Sequence, residues 1–159
     1  MAVAFLCTRV KDPDTDNYKK LTKVMQYLRN TKNRTLMIEP SDEPKWWVDS
    51  SYAIHSDMKS HTGIYMTLGK GATYKASCKQ KLNTKSSTEA ELVAVDDAMG
   101  QVIWSTHFLA VQGQHVPTTT IYQDNKSTIL LAEMAEHQVQ RECGTLTIIF
   151  IADEIKRVM

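Results

Sequence analysis

Apolar residues along the chain switch between helical and alternating spacing, and the switches predict its elements. After a short apolar run, Ala2–Cys7, the segment Asp14-Thr15-Asp16 leads into Tyr18, Leu21, Val24, Met25 and Leu28. That is an amphipathic helix with an acidic start, ending in the polar stretch Arg29–Arg34. A strand is expected at Thr35–Ile38, before the break Glu39-Pro40-Ser41-Asp42-Glu43-Pro44. Lys45–Ala53 is aromatic and β-branched and predicts a strand. Two more strand-like runs, Thr62–Leu68 and Ala72–Cys78, flank Gly69-Lys70-Gly71, which suits a hairpin turn. Ser86–Gln112 has helical periodicity and no Pro. Thr118–Gln123 is a β-branched strand behind Pro117, and Asn125 or Ser127 can cap another helix through about Glu136. His137–Thr145 is polar and irregular, and Leu146–Met159 runs from apolar to charged. This order predicts a mixed α/β fold, a sheet covered by helices.

Composition sharpens the picture only where it is uneven. At 159 residues and 42% hydrophobic, the chain can build one packed core and is not a disordered segment. The net charge of +1 hides a segregation. Residues 1–35 hold eight Lys/Arg against three Asp, and Lys59–Lys85 holds six Lys and no acid. Four acids then crowd into Glu89–Asp97. A basic surface beside a compact acidic cluster suits an enzyme that holds a polyanion and uses metal ions to cut it, although a mixed solvated surface has the same composition. Cys7, Cys78 and Cys143 are far apart, which excludes a disulfide framework and a zinc site and points to a reducing interior. Ala2–Cys7 is too short for a signal peptide or a membrane span, so a soluble intracellular protein with no membrane partner is expected.

Three acids stand out by position. Asp49 lies within the apolar strand Trp46-Trp47-Val48-Asp49, on the side of Trp47 and Ser51; an edge or surface acid is the plainer alternative. On the long helix, Leu92, Val95, Met99, Val102, Thr106 and Leu109 define a stripe. At about 100° per residue Glu91 falls on it, whereas Glu89, Asp96 and Asp97 fall to the side or behind. Glu89, three residues after Ser86, suits helix capping instead. Asp124 sits where a strand ends and a helix begins, a usual place for polar site residues and equally an ordinary N-cap. Carboxylates alone satisfy Mg²⁺, and a two-metal hydrolase needs several of them at one point. His55, His61, His107, His115 and His137 lack metal-ligand spacing and are expected on the surface or in loops. Trp46, Trp47 and Trp104 are expected in the core or covering the sheet, and the eight Met as core filling.

Several motifs carry a family likeness. Trp47-Val48-Asp49-Ser50-Ser51-Tyr52, Lys59-Ser60-His61-Thr62-Gly63 and Lys79-Gln80-Lys81 come first. Ser86-Ser87-Thr88-Glu89-Ala90-Glu91-Leu92 and Tyr122-Gln123-Asp124-Asn125-Lys126-Ser127 follow in the same order and spacing. Together they resemble the ribonuclease H domain at the end of the polymerase polyprotein of copia-type retrotransposons. Ala2–Arg9 with Asp12-Pro13-Asp14 resembles the tail of the preceding reverse transcriptase. The resemblance covers nearly the whole chain. It implies a reverse transcriptase tail or connection at 1–40 and a ribonuclease H-like domain at 41–159. The implied fold is a mixed five-stranded sheet, its first three strands antiparallel, with helices on both sides. The implied metal ligands and catalytic residues are Asp49, Glu91 and Asp124, holding two Mg²⁺ or Mn²⁺ ions. The implied substrate is the RNA strand of an RNA–DNA hybrid. The implied partner is the reverse transcriptase portion of the polyprotein, in a cytoplasmic, nuclear or virus-like-particle setting.

Two departures shape the expectation further. The family's fourth carboxylate lies on a terminal helix after one more strand, and Met159 falls where that strand is expected to begin. Asp153 is a superficial stand-in, in what resembles the helix before it. Val139–Thr147 lacks the basic and His residues usual there. The expected domain therefore lacks the last strand and the C-terminal helix. A catalytically inactive module for nucleic acid or protein, using the Lys59–Lys85 run with Tyr65 and Tyr74, and a decayed transposon relic are the alternatives.

Overall fold

The computed structural model describes residues 2–38, 43–114, 116 and 118–131, together with the backbone of 147–152. The chain divides into two compact units, 1–37 and 38–159.

The first unit holds α1 (Ala2–Cys7) and α2 (Thr15–Thr31). The acidic start works as a cap: the Asp14 carboxylate accepts from the Asn17 N–H at 2.6 Å. The expected strand at Thr35–Ile38 is absent, and these residues have no regular secondary structure. Leu36, Met37 and Ile38 stay exposed; a strand needs a neighbour to take its backbone hydrogen bonds, and none among the described residues pairs with them.

The second unit is built on a five-stranded sheet in the order β3-β2-β1-β4-β5. Its strands are β1 (Lys45–Ser51), β2 (His61–Thr67), β3 (Ala72–Lys79), β4 (Thr118–Gln123) and β5 (Thr147–Ala152). β1, β2 and β3 form an antiparallel meander, with Gly69 at φ 131° in the hairpin connection, a conformation glycine adopts freely. β4 lies parallel to β1 on its other side, and β5 parallel to β4. The mixed α/β architecture is as the sequence predicts, with one correction. The expected absence of a last strand is wrong, because β5 pairs with β4 along its whole length, from Thr118↔Thr147 to Gln123↔Ala152. A six-residue apolar run fits a buried strand and a helix equally well by pattern, and the pairing with β4 decides for a strand. Asp153, the segment His137–Thr145 and the part of the expected helix beyond 131 lie outside the described residues.

One long helix, α3 (Ser87–Val111), crosses the sheet. Ala94, Val95, Ala98 and Val102 pack onto Trp46, Val48, Ile64, Met66 and Ile121. The stripe expected from periodicity is turned by roughly 60° toward Ala94 and Ala98, taking about 100° per residue. Alanines let the helix backbone approach the sheet closely, which leaves Leu92 at the exposed margin. The same rotation moves Glu91 from the edge of the buried face to its middle. At the helix start the Ser86 hydroxyl accepts from the Glu89 N–H at 3.1 Å. The Glu89 carboxylate accepts from the Lys85 N–H at 2.6 Å, a capping role for Glu89 as expected.

The aromatic and histidine expectations need correction in part. Trp46 is in the core, and Trp47 covers the opposite sheet face, stacked between Tyr65 and Tyr122 at 4.6 and 4.8 Å. Trp104 is exposed on the outer side of α3, stacked on Phe108. His55 and His61 are both buried, with His55 Nε2 and His61 Nδ1 3.0 Å apart and His61 Nε2 2.9 Å from Ser77 Oγ. The loop after β1, with Ala53 and Met58 at positive φ, folds back and closes over His61. Local spacing carries no trace of that long-range closure.

Candidate metal centre

Strand geometry brings the first two carboxylates together. β1 and β4 run parallel with Trp47 beside Tyr122. Side chains two residues further on share that face, so Asp49 and Asp124 follow the stacked aromatics as neighbours at the carboxyl ends of adjacent strands. Gly63 stands opposite Asp49 in β2, so no side chain crowds the carboxylate from that strand. Asp49 and Asp124 both remain open to solvent, and the enclosure expected for Asp49 within its apolar strand does not occur.

The third carboxylate arrives from α3. Glu91 is buried, and its Oε1 accepts from the Ser50 N–H at 3.2 Å, directly after Asp49. Its Oε2 accepts from Gln123 Nε2 at 3.0 Å. Each of the three residues then offers a carboxylate oxygen such that all three atoms lie within 4.8 Å of one another. Among the described residues no other group of three His, Cys, Asp or Glu comes together in this way.

The cluster has an electrostatic cost that shows in its acidities. Glu91 is pushed above the ordinary carboxylate range by burial. Hydrogen bonds from Gln123 and Ser50 pull it back in part, and the Asp49 charge adds to the rise. Asp49 is raised by the partial loss of water around it and then by the Asp124 charge. Carboxylates that resist ionising side by side are what a cation would relieve. The donor set is all hard oxygen, the type favoured by Mg²⁺ and Mn²⁺ over softer ions. Two oxygens on one octahedral ion at about 2.1 Å lie roughly 3 to 4.2 Å apart, so the three groups are a side-chain adjustment away from shared ligation. The cluster can hold a metal ion.

All three acids singled out in the sequence therefore meet at one point. What the sequence reading missed are the groups that hold them. Gln123 and Ser50 bind Glu91, whereas the Asn125 cap is one the sequence predicts, its Oδ1 accepting from the Ser127 and Thr128 N–H groups at the helical turns 126–131. A signal for Gln123 does exist. Alternation along β4 puts it on the face of Thr119 and Ile121, both fully buried, so a polar side chain there needs internal partners.

Among the described residues no helix is long and apolar enough to cross a membrane. No protein-family model matches the chain. Among solved structures, the catalytic domain of human Endonuclease V is similar at 8% identity and a TM-score of 0.27, covering 69% of this chain and 48% of that one. A likeness that distant carries no conclusion about the site. The chain is 31% identical over 134 residues to the "Retrovirus-related Pol polyprotein from transposon TNT 1-94" of Nicotiana tabacum. That match covers 83% of this chain and 10% of the polyprotein, so the chain spans about a tenth of its relative's length. Over most of its length, then, this chain is related to one segment of a retrotransposon Pol polyprotein.

Proposed function

We propose that the chain is a metal-dependent endonuclease of the ribonuclease H type, cutting the RNA strand of RNA–DNA hybrids. The observation that carries this reading is the convergence of Asp49, Glu91 and Asp124 from β1, α3 and the end of β4. The relation to a Pol polyprotein supports it, since copying RNA into DNA generates such hybrids. The motif resemblance supplies the substrate and the partner, the reverse transcriptase portion of the same polyprotein.

Mg²⁺ or Mn²⁺ ions, when bound, would supply Lewis acidity and charge neutralisation at the scissile phosphate. The rest falls to the chain. Asp49 and Asp124 present open oxygens at the sheet end, where a phosphodiester can approach. Ser50 and Gln123 hold the Glu91 carboxylate in place before anything binds, which removes reorganisation from the reaction. Lys75, Lys81 and Lys85 are exposed on the same unit and suit phosphate contacts that carry no sequence preference.

A labelled hybrid incubated with Mn²⁺ tests the proposal. Cleavage confined to the RNA strand and lost in Asp49→Asn is the expected result. Should the native chain cut no better than Asp49→Asn, the enzymatic reading is wrong. Salt-sensitive hybrid binding would then favour the inactive module.

A further inference from the structure

Gln123, the last residue of β4, is 1% exposed, and its amide has one possible orientation. The N–H groups of Asp124 and Asn125 both point at one of its terminal atoms, at 2.8 and 3.3 Å. Two donors require an acceptor, so that atom is Oε1. Nε2 is left to donate to Glu91 Oε2 at 3.0 Å. One enclosed side chain thus touches the helix carboxylate with one end and the backbone of the strand-end acid with the other.

The surrounding contacts show how specific this bridge is. Asn125 Nδ2 donates to Thr88 Oγ1 at 3.4 Å, and Thr128 Oγ1 donates to the Thr88 carbonyl at 3.3 Å. Both tie the turn after β4 to the first turn of α3, but neither reaches a carboxylate. Ser50 fixes Glu91 from β1 without touching Asp124. With Oε1 bound by Ser50 and Oε2 by Gln123, the Glu91 carboxylate cannot rotate freely. Each oxygen still keeps lone-pair capacity for a cation.

We propose that Gln123 is a positioning residue of the metal centre, fixing the Glu91 carboxylate and the Asp124 turn in one relation and so setting divalent-cation affinity. The proposal rests on the metal-centre reading above. Groups that orient metal ligands without touching the ion are worth about 10- to 100-fold in affinity. A side chain that only fills space and satisfies buried N–H groups would influence folding and leave affinity alone.

The test is a Mn²⁺ titration of the full chain without nucleic acid, following free Mn²⁺ by its electron paramagnetic resonance signal. Gln123→Met keeps the length and removes both hydrogen-bonding ends. Gln123→Asn keeps an amide but is one methylene too short to span both partners, and it carries the measurement if the Met variant does not fold. Val102→Ala is the control, a core truncation three turns along α3 from Glu91. The expected result is Mn²⁺ affinity weakened about 10- to 100-fold in the Gln123 variants and changed less than about threefold in Val102→Ala. A folded Gln123 variant that binds within about threefold of the native chain overturns the assignment, as does an equal loss in Val102→Ala. If the native chain binds Mn²⁺ no better than Glu91→Gln, the metal centre itself fails and the role of Gln123 with it.

Discussion

Replacing Asp49 with Asn should move stability in opposite directions with and without metal. Three carboxylates whose oxygens lie within 4.8 Å repel one another. At that separation one pair of unit charges costs about 0.9 kcal/mol at the permittivity of water and about 3.5 kcal/mol at an effective permittivity of about 20. Asp49 is open to solvent, so the screened end applies, and it takes part in two pairs. Neutralising it should therefore stabilise the metal-free protein by roughly 1–2 kcal/mol, or about 2–8 °C in melting temperature. The direction agrees with the lowered acidity of Asp49, because a carboxyl that ionises less readily when folded destabilises the fold at neutral pH. With divalent metal the order reverses. The native chain should gain about 2.7 kcal/mol at a free concentration of about 100 Kd, and Asp49→Asn should gain little. Glu91→Gln should not show the metal-free gain, since its amide can accept from only one of Ser50 and Gln123. Thermal melting at pH 7, with chelator and then with Mn²⁺, reads all of this. If Asp49→Asn melts at or below the native temperature in chelator, the carboxylates do not strain one another and the electrostatic account of the site is wrong.

Two further predictions concern the fold. Ile121, fully buried in β4 beneath α3, should cost about 2–5 kcal/mol when cut to Ala, read as a lower denaturant midpoint at unchanged slope; a loss below about 1 kcal/mol would contradict its place in the core. His61 takes up a proton less readily than an ordinary histidine, first because of its burial and then because of the neighbouring His55. The unfolded chain titrates near the ordinary value of 6.5, so the stability tied to neutral His61 is present above that pH and is lost as pH falls below it. Denaturant midpoints at about pH 7.5 and 5.5 should therefore fall more for the native chain than for His61→Gln. Asp49 and Glu91 act in the opposite sense in both proteins and cancel in the comparison; equal slopes would mean that His61 titrates as if exposed.

Much of the site was legible in one dimension because the relevant rules are local. A strand alternates faces, which put Asp49 with Trp47, and β1 and β4 then carried Asp49 and Asp124 forward together. A helix turns about 100° per residue, which separated Glu91 from Glu89 even though the buried face was misjudged by part of a turn. Caps are local as well, and Asp14 and Ser86 are found where their sequences predict. The misreadings share a different origin. Thr35–Ile38 has strand composition but no neighbour to pair with among the described residues, whereas Thr147–Ala152, an apolar run whose pattern does not settle its element, has β4. His55 and His61 looked like surface residues until the loop after β1 closed over them.

By itself, the sequence determined most of the elements, the face each acid occupies and the chemistry those acids can support, since each follows from bonds and side chains a few residues apart. Only the tertiary structure decided that the three acids meet, that β5 completes the sheet and that Gln123 and Ser50 hold Glu91. Those outcomes depend on which strand finds which partner and which polar group loses its water, and both are settled by contacts between residues far apart in the chain.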